Sequence, residues 1–472
     1  MEFKDSAKVG PPRRGLREVF SLLRRNPAFA RLYAASLISF AGDWFLQVAL
    51  YGMVLELTGS PLLTSLILVA QLIPFTLLSP LGGVLADRLD RRKLMIVSDS
   101  VRAVVCLGFL AVNGREDVWL IYVLAGVLAS LGALFEPAAS AAVPNVVDPE
   151  DLPAANVLVG SAWGTMLAVG AALGGLVSAT LGREAAFAGD ALSFALSAGL
   201  LLTVRRRFSE VREREEHPPI RDAVIETVRY AREDPRVFAL LAVKGGFGFA
   251  GGVISLLPVF AAQVFHAGDA GIGILLGARG LGALVGPFLG RRFIGGDDAR
   301  LFTAIGIALG TFGVFYLAFP WMPALWIAAM FAVGAHLGGG AQWTLSTYGL
   351  QVLVPDRIRG RVFAFDYMLV TASIAISNVI AGSAADRFDP RYVMASLAGV
   401  ALAYALIWRA LAARALARTS ARPTAPEARP EAAPREAPPE GPRAASPAAA
   451  SGSRGAGSRG AGQRRRRPGR RS

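Results

Sequence analysis

Stretches of about 20 apolar residues recur along the chain, and no other feature limits its fold so strongly. Each is long enough to cross the ~30 Å of hydrocarbon in a bilayer. Lipid offers the backbone no water, so a spanning run must satisfy its own amides, and a helix does so. Twelve runs are read: 32–56, 62–86, 94–112, 118–142, 154–180, 185–204, 237–264, 271–294, 300–319, 323–348, 362–382 and 391–412. Hydrophobic residues make up 53% of the chain and charged residues 18%, respectively above and below the usage of soluble domains. Glycines lie inside the runs, as at Gly170, Gly174 and Gly175 or Gly277, Gly280, Gly282 and Gly286. In lipid such small residues let helix backbones approach closely. The expected fold is an all-α membrane protein of twelve transmembrane helices in two six-helix, pseudo-symmetric bundles.

The polar segments between the runs give the orientation. With the N-terminus inside, the inner segments carry 27 Lys and Arg and the outer loops carry 4, namely Arg115, Arg183, Arg387 and Arg391. Basic residues accumulate on the cytoplasmic side, so both termini are expected in the cytoplasm of a bacterial inner membrane. The densest inner loop is the turn Gly83-Val84-Leu85-Ala86-Asp87-Arg88-Leu89-Asp90-Arg91-Arg92-Lys93, with four cations in its last seven residues. Residues 1–31 mix acids and bases ahead of the first run and do not read as a cleaved signal peptide. The single cysteine, Cys106, excludes an intrachain disulfide.

One long polar interruption, 205–236, divides the runs six and six. The expected units are a cytoplasmic N-terminus (1–31), a first bundle (32–204), a cytoplasmic linker (205–236), a second bundle (237–412) and a disordered basic tail (413–472). Ile220–Arg232 in the linker reads equally as a surface-lying amphipathic piece or a plain charged connection. The halves echo one another. Val147-Asp148-Pro149-Glu150-Asp151-Leu152 returns 206 positions later as Val354-Pro355-Asp356-Arg357-Ile358, and Gly82-Gly83-Val84-Leu85-Ala86-Asp87-Arg88 returns 204 positions later as Gly286-Pro287-Phe288-Leu289-Gly290-Arg291-Arg292, without its acid. Parallel repeats of this kind place a binding site between the halves near mid-membrane.

On these residues the chain resembles the major facilitator superfamily, and within it the branch that holds the enterobactin exporter and macrolide efflux proteins. The likeness covers roughly 30–412. It rests on Gly42-Asp43-Trp44, the charged turn, Asp99 with Arg102, Pro137 with Pro144, Leu152 with Ala155-Asn156, and Gln351 followed by Pro355-Asp356-Arg357-Ile358-Arg359-Gly360-Arg361-Val362. Asp90 stands where the family usually has Gly. The resemblance implies a secondary active transporter, with proton-coupled efflux of a small amphipathic molecule (drug, siderophore or secondary metabolite) by alternating access. It also implies that Asp87 meets the start of the eleventh span, where a helix N-terminus carries partial positive charge, and so holds an inward gate shut. Gly83, Asp87, Arg88, Arg91, Arg92, Asp99, Arg102, Asp356, Arg359, Gly360 and Arg361 are the gating candidates. An importer or lysophospholipid flippase of the same fold is the alternative within transport. A non-transporting sensor or scaffold acting through the basic tail is the alternative outside it.

Ionisable groups at membrane depth are costly and line a cavity or a gate by default. Asp99 and Arg102, three residues apart, share a helix face and can pair. Asp43, with Trp44 beside it and Gln47 one turn on, and Glu136 are candidates for proton coupling, against packing roles. Arg279 either pairs with a buried acid or binds an anionic substrate. His336, with Gln342 and Trp343 beyond it, is a cavity candidate whose simpler role is packing. Lys244 and Asp366 lie near inner helix ends, where snorkelling or gate pairing is expected. The run Gly245-Gly246, Gly248, Gly251-Gly252 with Pro258 reads as a bend in the seventh span.

The sequence gives no support to enzymatic chemistry. It has no phosphate-binding loop G-x-x-x-x-G-K-[ST], and its three His and one Cys show no metal spacing. No cofactor and no metal are expected. The expected partners are a small-molecule substrate, protons and the lipid bilayer, with no specific nucleic acid, for a chain acting as a monomer. Arg464–Arg467 with Arg470 and Arg471 would hold the tail to anionic lipid at about 1 kcal/mol each, or the tail is simply a solvated extension.

Overall fold

The computed structural model describes residues 16–204, 208, 225, 229–294 and 297–420, with side chains for all of these except 16–20, 356, 357, 419 and 420. The expectations for the basic tail, and for most of the linker 205–236, fall outside the described residues. A short helix, α1 (Leu16–Arg25), precedes α2 (Pro27–Thr58), α3 (Pro61–Arg88), α4 (Arg91–Leu107), α5 (Val118–Val146), α6 (Leu152–Leu181) and α7 (Arg183–Leu202). The second half holds α8 (Pro235–Ala250), α9 (Gly252–Val259), α10 (Gly268–Gly290), α11 (Asp298–Ala318), α12 (Leu325–Leu353), α13 (Asp356–Ala385) and α14 (Pro390–Ser420).

Among the described residues, eleven helical segments are long and apolar enough to cross a membrane, with α8, α9 and the π turn Phe260–Val264 counting as one. The helix α12 stands where the tenth of the twelve expected spans falls. It has 29 residues but carries Gly334, His336, Gly338-Gly339-Gly340 and Gln342 at its centre, and it packs against α10 and α11. Large apolar side chains point outward, Leu77, Val104, Leu181 and Leu406 among them, as lipid requires and water would penalise.

Polar punctuation decides where each helix starts and stops. Asn26 caps α2 by accepting from Phe29 N at 3.0 Å, and its side-chain amide donates to Val146 O at 2.7 Å. The chain leaves α2 through Gly59 at φ 68°, a left-handed conformation glycine adopts without strain. Ser60 then caps α3, accepting from Leu63 N at 3.1 Å. Asp90 and Asp297 cap α4 and α11 in the same way. The helices alternate in direction. One face of the molecule, the basic face, carries the 87–93 turn and the ends at Val146, Leu202 and Pro235, while the opposite face carries Thr58, Pro61, Leu181 and Ala385.

The two halves meet backbone to backbone along α6 and α10. A Cβ on Gly175 would lie 2.7 Å from the Gly273 Cα, and Leu284 backbone atoms come within 3.1 Å of a Cβ at Gly164. Span seven is broken between α8 and α9 at Gly251, as the glycine run predicts. Ser377 of α13 repairs the break: its hydroxyl accepts from Gly252 N at 3.0 Å and donates to Phe249 O at 2.5 Å.

At the start of α8, Asp234 accepts from Arg236 N and from the Arg236 guanidinium, both at 2.9 Å, and Arg236 also reaches Asp298 at 2.9 Å. Partial burial pushes the Asp234 carboxyl upward, but these hydrogen bonds outweigh it and hold the group below the usual carboxylate range. Such a lowered group stabilises the fold fully above about pH 4 and loses that contribution as pH falls through its lowered value. Asp234→Asn is therefore expected to lower the thermal midpoint of detergent-solubilised protein at neutral pH, with the gap to the unsubstituted protein closing in acid. A gap that does not depend on pH would contradict this. At the seam, Gly175→Val should destabilise by about 1–3 kcal/mol through overpacking, read as a lowered melting midpoint, and an unchanged midpoint would show that the helices have room to part.

Candidate functional site

The first half holds a charge cluster at membrane depth. Arg102 on α4 donates to Asp43 of α2 at 2.5 Å, to Asp99 at 3.3 Å and to Ser39 Oγ at 3.0 Å, and its guanidinium lies 4.0 Å over the Phe194 ring. The pairing expected from the three-residue spacing of Asp99 and Arg102 is present, and Asp43 joins it. Asp99 is fully buried, whereas the Asp43 side chain is 37% exposed. Asp43 is thus the member that reaches open space. Beside it Asp190 of α7, also fully buried, accepts from Cys106 Sγ and Ser193 Oγ at 3.0 and 3.1 Å. Gly42 makes room for that carboxylate, since a Cβ there would collide with it. Glu136 of α5 lies within electrostatic range of Asp43, of Arg102 and of Tyr367 on α13. Asp190 is absent from the sequence-based candidates, although an acid inside the run 185–204 was the available signal.

The charged turn is stitched into its own half. Arg91 donates to Ala86 O at 2.9 Å, Ala141 O at 2.7 Å and Asp87 at 3.2 Å. Arg92 donates to Leu201 O and Leu202 O at 2.9 and 2.5 Å. Both guanidiniums thereby reach carbonyls in the last turns of α3 and α7, where intrahelical partners run out. Asp90 has a plain structural use as the N-cap of α4, accepting from Lys93 N at 3.1 Å. Among the described residues, Asp87 forms an ion pair with Arg91, and its side chain is 56% exposed. Arg88 is exposed and Gly83 faces open space. At the start of α13, Arg359 donates to Val354 O at 3.3 Å and Gly360 also faces open space. Arg361 is half-buried there, and the Asp356 side chain lies outside the described residues.

Among the described residues, several bonds tie the halves together at the opposite face. Arg183, at the start of α7, grips Asp269 of α10 with two bonds of 2.8 and 3.0 Å and Glu56 of α2 with one of 2.7 Å. Asp386, following α13, accepts from Ser60 Oγ at 3.0 Å and from Leu62 N at 3.1 Å, at the N-terminus of α3. Gln263 donates to Gly59 O at 3.2 Å. No local pattern in the sequence pairs these residues, which lie 86 to 326 positions apart.

The second half supplies different chemistry. Lys244 of α8 and Asp366 of α13 form a buried pair at 2.5 Å, with Lys244 also donating to Thr347 at 3.0 Å and lying 4.4 Å over the Trp343 ring. His336 Nε2 and Tyr316 Oη are 2.9 Å apart, and the imidazole stands edge-on to Phe312 at 5.5 Å, a packed setting. Gln342 is buried beside Ser346 at 3.4 Å, and Gln47 accepts from Gln71 at 2.8 Å. Arg279 sits at the seam, 5.5 Å from the Trp44 ring and 5.6 Å from the Trp163 ring. Among the described residues, no group of three or more His, Cys, Asp or Glu is arranged to hold a metal ion.

A helical bundle in two halves, with ionisable groups at membrane depth and polar ties between the halves at one face, is the anatomy of a membrane transporter. The chain belongs to the Transmembrane secretion effector family of the major facilitator superfamily, whose model matches residues 19–439. It is 28% identical to the enterobactin exporter EntS of Citrobacter koseri over 72% of this chain and 81% of that protein. It is 27% identical to the multidrug efflux pump Tap of Mycolicibacterium fortuitum over 77% and 90%. Among solved structures, a bacterial homologue of the human lysosomal transporter Spinster aligns with a TM-score of 0.64 at 15% identity, covering 83% of this chain and 97% of that one, a likeness that bears on the fold alone.

If the opposite-face bonds hold the halves shut, Asp386→Ala should raise the maleimide labelling rate of a cysteine placed at Ser65 several-fold. Ser65 is fully buried against Gly382 in that seam. Equal rates with and without Asp386 would remove the latch.

Proposed function

We propose that the protein is a proton-coupled secondary exporter of a small amphipathic molecule, working by alternating access in a bacterial inner membrane with its basic face in the cytoplasm. The observation that carries this reading is the set of ties closing the opposite face, Arg183 to Asp269 and Asp386 to the start of α3, beside ionisable groups held at membrane depth. A carrier tied shut at that face would load from its basic face. The excess of Lys and Arg on that face, by the rule that basic loops stay inside, makes the open side the cytoplasm, where an exporter loads. The exporter names of two relatives support the direction of transport.

Coupling would run through Asp43 and Glu136. Asp43 shares Arg102 with the fully buried Asp99, so a proton on Asp43 would release the guanidinium to Asp99 and alter the tie between α2 and α4. In the alternate state Asp87 would leave Arg91 for the N-terminus of α13. Everted vesicles supplied with a fluorescent cytotoxic dye from outside test these steps by its uptake. Energised vesicles should transport dye, an uncoupler should stop it, and Asp43→Asn should reduce it at least tenfold without loss of inserted protein. Transport that ignores the uncoupler would exclude proton coupling. Asp87→Asn should likewise insert normally and fail to transport, whereas unaltered rates would exclude its gating role.

Movement of lysophospholipid is a second reading, favoured by one feature: a cavity of about 540 Å³ between α8, α13 and α14, lined by apolar groups including Leu241, Phe249, Leu369 and Tyr404. Lipid extracted from the purified protein, together with lysolipid transfer between leaflets, would support it. Dye efflux without lipid transfer would set it aside.

A further inference from the structure

Arg279 is a half-buried cation among neutral neighbours. Its guanidinium stands by two indoles, Trp44 of α2 and Trp163 of α6, which themselves meet edge to face at 5.9 Å. The ionisable groups within its electrostatic range are Tyr51, Tyr316 and His336. Its Nε is buried without a hydrogen-bond partner. The other cations held at depth or at the seam differ in kind: Arg102 has Asp43 and Asp99, Lys244 has Asp366, and Arg183 has Asp269 and Glu56. Of the two roles open to Arg279 from sequence, pairing with a buried acid is absent among the described residues.

A guanidinium held partly out of water without a counter-charge is costly, and a charge retained at membrane depth marks a pathway or a site. The fold holds this one in place. A Cβ on Gly280, next in sequence, would meet Leu167 and Ala168 backbone within 2.9 Å, so α10 and α6 are locked together at this level. Trp163 is nonetheless 48% exposed, which leaves one indole free to cover a ligand ring. A planar fork of N–H donors matches a carboxylate with two parallel bonds, and indole faces stack on flat apolar bodies.

We propose that Arg279, Trp44 and Trp163 form the recognition site for an organic anion with a flat apolar body, bound between the halves. This deepens the transport reading by naming its substrate class, and rests on that reading only for the claim that the bound molecule moves. A cationic substrate at Asp43 would have to displace Arg102, whereas an anion at Arg279 displaces no acidic partner.

The test is calorimetric titration of the full chain, purified in a neutral detergent, with naphthalene-1-acetate, its uncharged amide and 1-naphthylmethylammonium. The anion should bind at least about tenfold more tightly than the amide, the scale of hydrogen bonds to a charged group, and the ammonium most weakly. Arg279→Gln should abolish the preference for the anion, Arg279→Lys should keep part of it, and Trp163→Phe should weaken acetate and amide together. Equal affinities for acetate and amide, or a preference that survives Arg279→Gln, would overturn the proposal. Should the glutamine variant not fold, the ranking in the unsubstituted protein and the lysine variant still decide. Competition by added phosphatidylglycerol would reassign the site to a lipid headgroup and overturn it as well. Vesicle transport separates this proposal from the reading beneath it. Anion-selective binding without movement leaves the site standing and removes transport, while export of the amide but not the acetate leaves transport standing and removes the anion site.

Discussion

A charge carried into hydrocarbon must find an opposite charge, a set of hydrogen bonds or a wet cavity, and the placement of every functional group in this protein follows from that demand. Arg102 meets it with two carboxylates and a hydroxyl, and Lys244 meets it with Asp366 and Thr347. Arg91 and Arg92 meet it at the membrane edge with helix C-terminal carbonyls. These arrangements are also what pull the helices together. The hydrophobic effect gives no preference between lipid tails and leucine side chains, so close backbone packing at glycines and polar contacts must supply the association.

The two halves solve the same topological problem with opposite chemistry. The first half gathers acids (Asp43, Asp99, Asp190 and Glu136) around a single guanidinium. The second half contributes Lys244 with its one acid and Arg279 with none. A substrate between them would face an acid-rich wall on one side and aromatic groups with a cation on the other. The asymmetry is chemical, imposed on helices that repeat in sequence.

The fold was largely legible because its signals are local. Apolar runs of about twenty residues and a run of glycines in span seven each carry their meaning without reference to distant chain, and the helices fall close to the expected spans. The tenth span shows the limit of that logic. In α12, glycines and polar residues dilute the apolar signal because the helix packs on protein at α10 and α11. The site was legible only where spacing is short. Asp99 with Arg102 follows from helix geometry. Arg183 with Asp269, and Ser60 with Asp386, depend on where separate helix ends meet, and no pattern within one chain records that. Asp90 shows the converse: an apparent departure from the family turn is an ordinary N-cap.

The break in span seven constrains more than its own helix. Ser377 holds both sides of the interruption, accepting from Gly252 and donating to Phe249. Any straightening must therefore either forfeit two backbone hydrogen bonds in an environment with no water to replace them, or drag α13 along its axis. Nine residues further on, about 13 Å along a helix, Asp386 touches the first turn of α3. With Ser377 as the pin of such a crank, a change of bend in one helix would become axial travel of another, felt at the far end of the first bundle.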